Sequence, residues 1–524
     1  MKTITVSYPF YRLRHGAEGD ERAPSIRSRL LYRNQFILGP SFVDGLPAWR
    51  RVSIRPGICL TVHPDLGVCR IIEGNRSITL LGFMLDPEYP SRSDDRILRG
   101  FMRKLTRSET FMEHTGRYGG RWALIVDDGS EVLFFHDAAG LRQACYTDPR
   151  STGDLWCASQ PGLIAEILRL KADEEALGFI NAHKQVQKEY WFPGDATLYK
   201  EIRHLIPNHC LNLKTGEPRR YWPKGGLKER PLEEAIDEAA SLLKGLMGAA
   251  ANRFELAVSL TAGWDSRLVL ASSRELAHRV SVMTVKKKGM SEDHADVAIP
   301  SLLCSRLGLK YDVVPAKGVW EDEFPDLYRQ NVVLAHDVWA PDAQAILNRY
   351  GLKKAVATGS MSEVIRHSRR LSSFGKDLIK GYLAVKKMGN HPFAVRAFER
   401  WFSGLGDLYN FNARDLIYWE QRAGKWLAMC QLEFDTAWKE IFTPYNCRDL
   451  LVTMLSVDRK YRSLPDFILY RKLILKLWPE ALDVPVNPHK KKTLYKKVKP
   501  RIVRVLPVKL HSPLKKALRL LNLR

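Results

Sequence analysis

The second half of the chain alternates short apolar runs with longer amphipathic ones. Residues 256–260 (Leu-Ala-Val-Ser-Leu) have the length and composition of a buried strand, and residues 267–277 predict a helix. A further helix is predicted over 292–307. Other strand candidates lie at 280–285, 311–314 and 354–358. This alternation of strands and helices is typical of an α/β domain with a doubly wound parallel sheet.

The first half has a different pattern, in which apolar strands follow one another and are separated by turns. The strand candidates lie at 119–127, 132–137, 144–146 and 156–159. No long helical period interrupts them, so we expect a β-rich layer. The chain has 524 residues, enough for two or three domains. We predict domains over 1–228 and 229–488, followed by a tail over 489–524.

A loop of small and polar residues joins the strand at 256–260 to the next helix, and it consists of Thr261, Ala262, Gly263, Trp264, Asp265 and Ser266. Such a loop presents backbone N–H groups and the positive end of a helix dipole, which together favour an anion. Thr261 and Ser266 add hydroxyl donors, and Asp265 can hold magnesium or orient the loop. No Gly-Lys-Ser/Thr follows, so this is not a Walker loop. The alternative is an ordinary turn with an Asp N-cap.

Together these segments resemble the asparagine synthetase family. The loop is similar to the S-G-G-x-D-S pyrophosphate loop of enzymes that split ATP between its α- and β-phosphates. Residues 296–311 resemble the family's second αβ unit, and Gly359 to Arg366 resemble its G-x-x-G-E-x-x-R segment. In the first half, the pattern formed by Asp137, Gly140, Arg142 and Ala158-Ser159 resembles the glutaminase-type domain of the family. The resemblance implies an Ntn-hydrolase-like sandwich followed by an ATP-pyrophosphatase domain with a helical C-terminal part.

Two departures from the family pattern affect the expected site. Ala262 replaces a loop glycine, and alanine tolerates a positive φ less well than glycine. Ser362 replaces an acid that is a magnesium ligand in asparagine synthetase proper, whereas Glu363 falls on the glutamate that lines the site. One magnesium ligand must therefore come from elsewhere, either Glu363 or water.

A third departure concerns the N-terminus. Family members that use glutamine expose a cysteine as residue one, whose thiol attacks the amide. Here Met1 is followed by Lys2, and the first cysteine is Cys59. We therefore expect no glutaminase activity, a first domain that serves as a scaffold, and an amine that is ammonia or an amino group of the substrate.

The resemblance implies ATP and Mg²⁺ as ligands of the second domain. Asp265, Glu363 and Arg366 are the expected catalytic residues, and Asp265 and Glu363 the expected metal ligands. The nucleotide is expected against Leu260, Thr261, Ala262, Gly263, Asp265, Ser266, Val285 and Gly359. The implied reaction is ATP-dependent amide formation through an acyl-adenylate, with release of pyrophosphate. An ammonia-dependent asparagine synthetase, a macrolactam-forming cyclase and a non-catalytic nucleotide-binding scaffold remain alternatives.

Charge is concentrated at the C-terminal end. Of the net charge of +24, the tail over 489–524 contributes +13, from thirteen Lys and Arg and no acid. Its last stretch places Leu514, Leu518 and Leu521 on one helical face among basic residues, which suits an anionic membrane surface. A solvated tail is the equal alternative. Nucleic acid is disfavoured because no recognition module accompanies the charge.

Five smaller expectations concern the cysteines, residues 366–416, a C-terminal lysine, the substrates and the assembly. The eight cysteines have no C-x-x-C or metal spacing, which indicates reduced, buried thiols in a cytoplasmic protein, peripheral to the inner membrane face if the tail binds lipid. Residues 366–416 predict a helical excursion over the synthetase cleft, or a plain amphipathic helical pair. A lysine of 485–492 is implied over the acyl-phosphate. The substrates are carboxylates and amines, small molecules or peptides, and a homodimer is one option for the assembly.

Overall fold

The computed structural model describes residues 26–46, 48–317, 323–366, 382–383 and 386–488. The basic tail over 489–524, with its predicted amphipathic end and most of its lysines, lies outside the described residues. So do residues 1–25 and the early part of the predicted helical excursion.

The strands of the N-terminal half are short and regularly spaced. They are β1 (Phe36–Gly39), β2 (Arg50–Arg55), β3 (Ile58–Val62), β4 (Val68–Glu73), β5 (Arg76–Leu85), β6 (Gly119–Asp127), β7 (Val132–His136), β8 (Cys145–Thr147), β9 (Cys157–Ala158), β10 (Ile202–His204), β11 (His209–Asn212) and β12 (Pro218–Arg220). The C-terminal half contributes β13 (Leu256–Ser259), β14 (Ser281–Lys286), β15 (Tyr311–Pro315), β16 (Ala355–Ala357) and β17 (Glu440–Phe442).

Helices accompany these strands on their outer faces. They are α1 (Ile26–Leu30), α2 (Asp94–Met102), α3 (Ser108–Phe111), α4 (Pro149–Thr152), α5 (Pro161–Leu168), α6 (Glu174–Val186), α7 (Leu232–Arg253), α8 (Trp264–Ala271), α9 (Ala295–Arg306), α10 (Phe324–Asn331), α11 (Ala340–Tyr350), α12 (Pro392–Ser403), α13 (Ala413–Leu416), α14 (Ala428–Phe434), α15 (Arg448–Leu455) and α16 (Ile468–Leu477). A π-helix over Ile417–Leu427 joins α13 to α14.

The N-terminal half is a sandwich of two antiparallel sheets. Their strand orders are β10-β8-β9-β1-β3-β2 and β12-β11-β7-β6-β5-β4. Side chains alternate between the two faces of a strand, so Phe36 and Leu38 pack between the sheets while Ile37 packs on the outer face near α5 and α6. Helix α2 covers the outer face of the other sheet. The predicted β-rich sandwich is therefore confirmed, with helices outside both sheets.

The C-terminal half is built around a parallel sheet with strand order β15-β14-β13-β16-β17. Strand β13 pairs in parallel with β14 on one side and with β16 on the other. The order of strands therefore reverses between β13 and β16, and ligands of open α/β sheets bind at the carboxyl ends beside such a switch point. The predicted doubly wound sheet and the helical C-terminal part are both confirmed.

Several predicted bounds shift by a few residues. The helix expected over 267–277 begins at Trp264, ends at Ala271 and is followed by a separate 3-10 turn. It begins earlier because Gly263 is extended and already serves as the N-cap. The predicted boundary at residue 228 falls in the connection between β12 and α7.

Buried ion pairs join the two halves. The guanidinium of Arg121 on β6 makes two hydrogen bonds to the carboxylate of Asp435, at 2.7 and 2.9 Å, and both side chains are buried. Arg142 lies 3.3 Å from Glu440 at the start of β17. Because unpaired buried charges are costly, these pairs fix how the sandwich sits on the parallel sheet.

The predictions for the cysteines and for the helical excursion agree with the structure in part. All eight cysteines are free, six of them buried and Cys59 and Cys69 partly exposed. Helix α12, in the described part of the excursion, packs on α6 of the sandwich, where Phe393 stacks on Phe179. Among the residues that the structure describes, no helix is long and apolar enough to traverse a bilayer.

Candidate functional site

The loop between β13 and α8 is held closed by its own hydroxyl groups. The Oγ atoms of Thr261 and Ser266 lie 2.9 Å apart, and the Thr261 N–H donates to Ser266 Oγ at 3.0 Å. The N–H of Gly263 donates to Thr261 Oγ1 at 3.3 Å. These bonds fold the loop back on the first turn of α8, so that the positive end of the helix faces the carboxyl edge of the sheet.

Ala262 fits this loop without strain. It is absent from the residues with positive φ, so the replacement of the family glycine needs no left-handed backbone here. Its N–H donates to Asp296 Oδ1 at 3.1 Å, and its carbonyl accepts from the N–H of Asn487 at 2.8 Å. Asp296 on α9 and Asn487 near the C-terminal end of the described chain therefore hold the loop from two sides. Sequence reasoning gave neither residue this role.

The segment after β16 lies directly against the loop. A Cβ added at Gly359 would stand 2.5 Å from the backbone N of Ser266 and 2.7 Å from the carbonyl carbon of Asp265. Real Cβ atoms do not approach backbone this closely, so only glycine lets the two segments touch. The structure thus brings together the loop and Gly359, the two parts of the predicted site, at the switch point.

Asp265 and Arg366 form an ion pair in this contact. Arg366 Nη2 lies 2.7 Å from Asp265 Oδ2, and the hydroxyl of Ser362 donates to Asp265 Oδ1 at 2.6 Å. Burial raises the pKa of Asp265 to about 6, with Arg366 and the Ser362 hydrogen bond acting against burial and the nearby Glu363 adding to it. The Nε of Arg366 is buried and has no hydrogen-bond partner among the described residues.

Two buried tyrosines support this pair from the helical C-terminal part. The hydroxyl of Tyr470 on α16 lies 2.5 Å from Ser362 Oγ, and because Ser362 donates to Asp265, Tyr470 donates to Ser362. The hydroxyl of Tyr445 donates to the Asp265 carbonyl at 3.3 Å. Burial raises the pKa of both phenols, which keeps them as donors. Tyr470 lies in an apolar helical run and gave no sequence signal.

Not every predicted residue faces the loop equally. The side chain of Leu260 is fully buried and Val285 is half-buried, so neither is an open wall for adenine in this conformation. Glu363 is exposed, and no ligand role is tested for it. Both oxygens of Asp265 are engaged, so a magnesium ion would share this carboxylate with Arg366 or displace it. The metal ligands Asp265 and Glu363 thus stay a prediction, as do the nucleotide contacts.

Residues 484–487, which come just before the tail, lie beside the loop. Arg267, fully buried at the start of α8, donates to the carbonyls of Ala481, Val484 and Pro485. With the bond from Asn487 to Ala262, these contacts fix residues 484–487 beside the loop. The lysines at 490–492, implied over the acyl-phosphate, lie outside the described residues.

A separate cluster of potential metal ligands lies in the interior. Donor atoms of His336, Cys430 and Glu433 lie within 4.8 Å of one another. The Glu433 carboxylate already accepts from His336 Nδ1 at 2.7 Å and from the Tyr328 hydroxyl at 2.8 Å, while His336 Nε2 lies 2.9 Å from the Tyr190 carbonyl. Because the polar atoms of His336 and Glu433 are satisfied, these two side chains belong to a hydrogen-bond network that joins α10 to α14.

Comparison with known proteins gives only distant likenesses. No protein-family model matches the chain, and no curated protein matches its sequence. The U34-tRNA thiolase NcsA from Methanococcus maripaludis is 14% identical, with a TM-score of 0.23, over 56% of this chain and 80% of its own. Glutamine phosphoribosylpyrophosphate amidotransferase from B. subtilis is 10% identical, with a TM-score of 0.23, over 55% and 61%.

An allosteric regulatory enzyme of purine biosynthesis is 11% identical, with a TM-score of 0.24, over 74% of this chain and 91% of its own. At these scores the likenesses carry no functional argument.

Proposed function

We propose that this chain is an ATP-dependent carbon–nitrogen ligase. It activates a substrate carboxylate as an acyl-adenylate, releases pyrophosphate and passes the acyl group to an amine. The observation that supports it best is the contact at the switch point, where the hydroxyl-lined loop, Gly359 and the Asp265–Arg366 pair converge. Open α/β sheets bind nucleotides at this position.

In this proposal the loop holds the phosphates of ATP. The first turn of α8 offers its dipole, and Thr261 and Ser266 offer hydroxyl groups that exchange their mutual bond for bonds to phosphate oxygens. Arg366 supplies a guanidinium whose Nε–H has no hydrogen-bond partner among the described residues. Attack of the carboxylate oxygen on the α-phosphorus breaks the bond to the β-phosphate, and these donors stabilise the charge that develops on the pyrophosphate.

In this proposal Asp265 and Ser362 hold the guanidinium of Arg366 in position. The Asp265 carboxylate holds Arg366 by charge, and the chain of hydrogen bonds from Tyr470 through Ser362 fixes the carboxylate in turn. Asp265 and Glu363 would be the protein ligands of a magnesium ion bound with ATP, and such an ion would spread the phosphate charge. We propose that Glu363, which is exposed, either takes a proton from the attacking amine or only holds magnesium or Arg366.

The second half-reaction joins an amine to the activated carbonyl, with AMP leaving. Holding both reactants side by side supplies roughly 7–11 kcal/mol of the barrier reduction. We propose ammonia or an amino group of the substrate as the amine.

The test is release of pyrophosphate from ATP and magnesium in the presence of pools of carboxylic acids and amino acids. Wild type is compared with Asp265→Asn, which keeps the shape but removes the charge, and with Asp326→Asn at an exposed position. We expect release that depends on an added acid, a fall of about 100-fold or more in Asp265→Asn and no change in the control. Equal release by Asp265→Asn would contradict the proposal.

Two narrower enzymes fall within this proposal. An ammonia-dependent asparagine synthetase would form asparagine from aspartate, ATP and ammonium. A macrolactam-forming cyclase would instead close a linear substrate and lose one water in mass. Product analysis by mass spectrometry separates the two once an active acid pool is found.

A second candidate of another class is a nucleotide-binding scaffold without catalysis. The observation in its favour is that the N–H groups of Thr261, Ala262 and Gly263 all have acceptors within the chain. A loop so satisfied has fewer donors to offer a transition state. Calorimetric binding of ATP without any acid-dependent pyrophosphate release would favour the scaffold over the ligase.

A further inference from the structure

A cavity lies away from the loop, where the sandwich meets the helical C-terminal part. It is bounded by the outer face of the sheet that contains β8 and β10, by α5 and α6, and by the π-helix. It offers about 60 Å³ of room for the centres of water molecules. One water needs roughly 10–15 Å³ of such room, so the cavity suits about four waters or a ligand of similar size.

The wall of this cavity is mostly apolar, and Ile180, Leu198 and Val332 are buried and line it. Four polar lining residues donate to backbone carbonyls of the chain, and they are Gln143, Gln160, Thr197 and Tyr190. Lys425, which extends from the π-helix, and His204 on β10 also line it. An apolar chamber with a few converging polar groups is the usual form of a small-molecule site.

Lys425 is a buried cation that lacks a counter-ion in the described chain. Its side chain is 5% exposed, and its Nζ donates one hydrogen bond, to the Ala196 carbonyl at 3.0 Å. An ammonium has three donors, and among the described residues no carboxylate lies within ion-pair distance of this one. Buried charges in folded proteins are paired, so the occupant of the cavity should carry the negative charge.

Two further nitrogens of the lining are unsatisfied. Trp191 Nε1 and His204 Nε2 are both buried and have no hydrogen-bond partner in the part of the chain that the structure covers. His204 Nδ1 lies 4.0 Å from the thiol of Cys145, which leaves Nε2 as the nitrogen free for a ligand. An indole N–H only donates, so its partner must be an acceptor.

We propose that this cavity binds a short-chain carboxylate of about four to six non-hydrogen atoms. Its carboxylate accepts hydrogen bonds from Lys425, Trp191 and His204, and its hydrocarbon end lies against Ile180, Leu198 and Val332. The site is separate from the loop and does not depend on the ligase chemistry.

Burial lowers the pKa of Lys425 to about 8, with Cys145 and Asp195 acting in the opposite direction. The lysine therefore still carries its charge at pH 7, where the test is made. Calorimetric titrations of the full chain with acetate, propionate and butyrate are compared with propionamide, which has the shape of propionate without the charge. We expect saturable binding of at least one acid and none of the amide.

Lys425→Met keeps the length of the side chain and removes the charge, and we expect it to weaken binding at least tenfold. The matched control is Lys439→Met, at an exposed lysine of the same half of the chain. A second variant, Val333→Phe, fills the cavity from its wall and should abolish binding if Lys425→Met fails to fold.

Unchanged affinity in Lys425→Met, equal binding of propionate and propionamide, or no saturable binding of any of the three acids would overturn the proposal. The last result would assign the cavity to water. Pyrophosphate release that depends on an added carboxylic acid, measured in parallel, reports on the loop alone. This release should persist in Lys425→Met.

Discussion

The guanidinium of Arg366 lies 2.7 Å from the carboxylate of Asp265, although 100 residues separate them in the chain. Ser362 donates to the other carboxylate oxygen, so one acid is held by a cation and a hydroxyl. Where the asparagine synthetase pattern has a second acid, this chain has Ser362. The loop between β13 and α8 therefore has a cation, Arg366, paired with Asp265 beside it, and Ser362 as a hydroxyl where that pattern has an acid.

Replacing Arg366 with methionine tests this charge. We expect acid-dependent pyrophosphate release to fall about 10²- to 10³-fold, because the transition state loses a fixed cation. Arg366→Lys should recover part of the activity, since charge returns without the planar fork. Arg471→Met, at an exposed position of α16, is the control. Activity of Arg366→Met at the level of the control would remove Arg366 from the mechanism.

Gly359→Ala tests the contact between the two segments. The new Cβ would press on the Ser266 backbone at 2.5 Å and force the segment off the first turn of α8. We expect ATP affinity, measured by calorimetry, to fall at least about tenfold, a change of 1.4 kcal/mol or more.

Gly178→Ala is the matched control for this change. It lies inside α6 with open space around its Cβ position, so it should leave ATP binding intact and stabilise the helix by roughly 0.5–1 kcal/mol. Normal ATP affinity in Gly359→Ala would show that the contact is not needed for binding.

Acid should destabilise the fold through buried histidines. Burial lowers the pKa of His63 to about 4, and its Nδ1 accepts from the Asp65 N–H at 3.0 Å, so the folded state prefers the neutral ring. This contribution is fully present above pH 6.5 and is lost as the pH falls toward 4. It amounts to about 3 kcal/mol.

His63→Asn keeps an acceptor for the Asp65 amide and does not titrate. Urea unfolding between pH 7 and 4 should therefore show a shallower loss of stability in this variant than in wild type. His114→Asn, at an exposed position, should follow wild type. Parallel curves for wild type and His63→Asn would refute the assignment.

We expect the Arg121–Asp435 ion pair to be the dominant interaction in the interface between the two halves. Removing one partner, in Arg121→Met or Asp435→Leu, leaves an uncompensated buried charge, and we expect a loss of about 3–5 kcal/mol in the free energy of unfolding. The double variant should recover much of this loss, because no charge then remains buried alone. Additive losses in a double-mutant cycle would show that the two side chains are not coupled.

The order of strands and helices in this fold was predictable because it follows from local sequence patterns. The apolar run that ends at Leu260 and the small residues after it predict a strand and a loop from neighbouring side chains alone. The helix start was missed by three residues, since capping by Gly263 depends on backbone geometry that a periodic pattern does not show. The replacement of a loop glycine by Ala262 needs no left-handed backbone, because Ala262 is absent from the residues with positive φ.

The partners of the candidate site could not be predicted in the same way. Tyr470 and Asn487 lie more than 200 residues from the loop, in an apolar helix and before a basic tail, and neither context signals a role. Lys425 lies in the π-helix, beyond the predicted excursion over 366–416, and its burial beside His204 follows only from packing of the two halves.

The sequence by itself determined the two-part α/β and β-rich architecture, the loop with Asp265 and the segment with Gly359, because strand and turn preferences act over a few neighbouring residues. Tertiary structure alone decided that Arg366 pairs with Asp265 and that Lys425 is buried with no carboxylate of the described residues within ion-pair distance. Both depend on desolvation and on contacts between distant segments, which arise only once the parallel sheet, the sandwich and the C-terminal helices exclude water from their junctions.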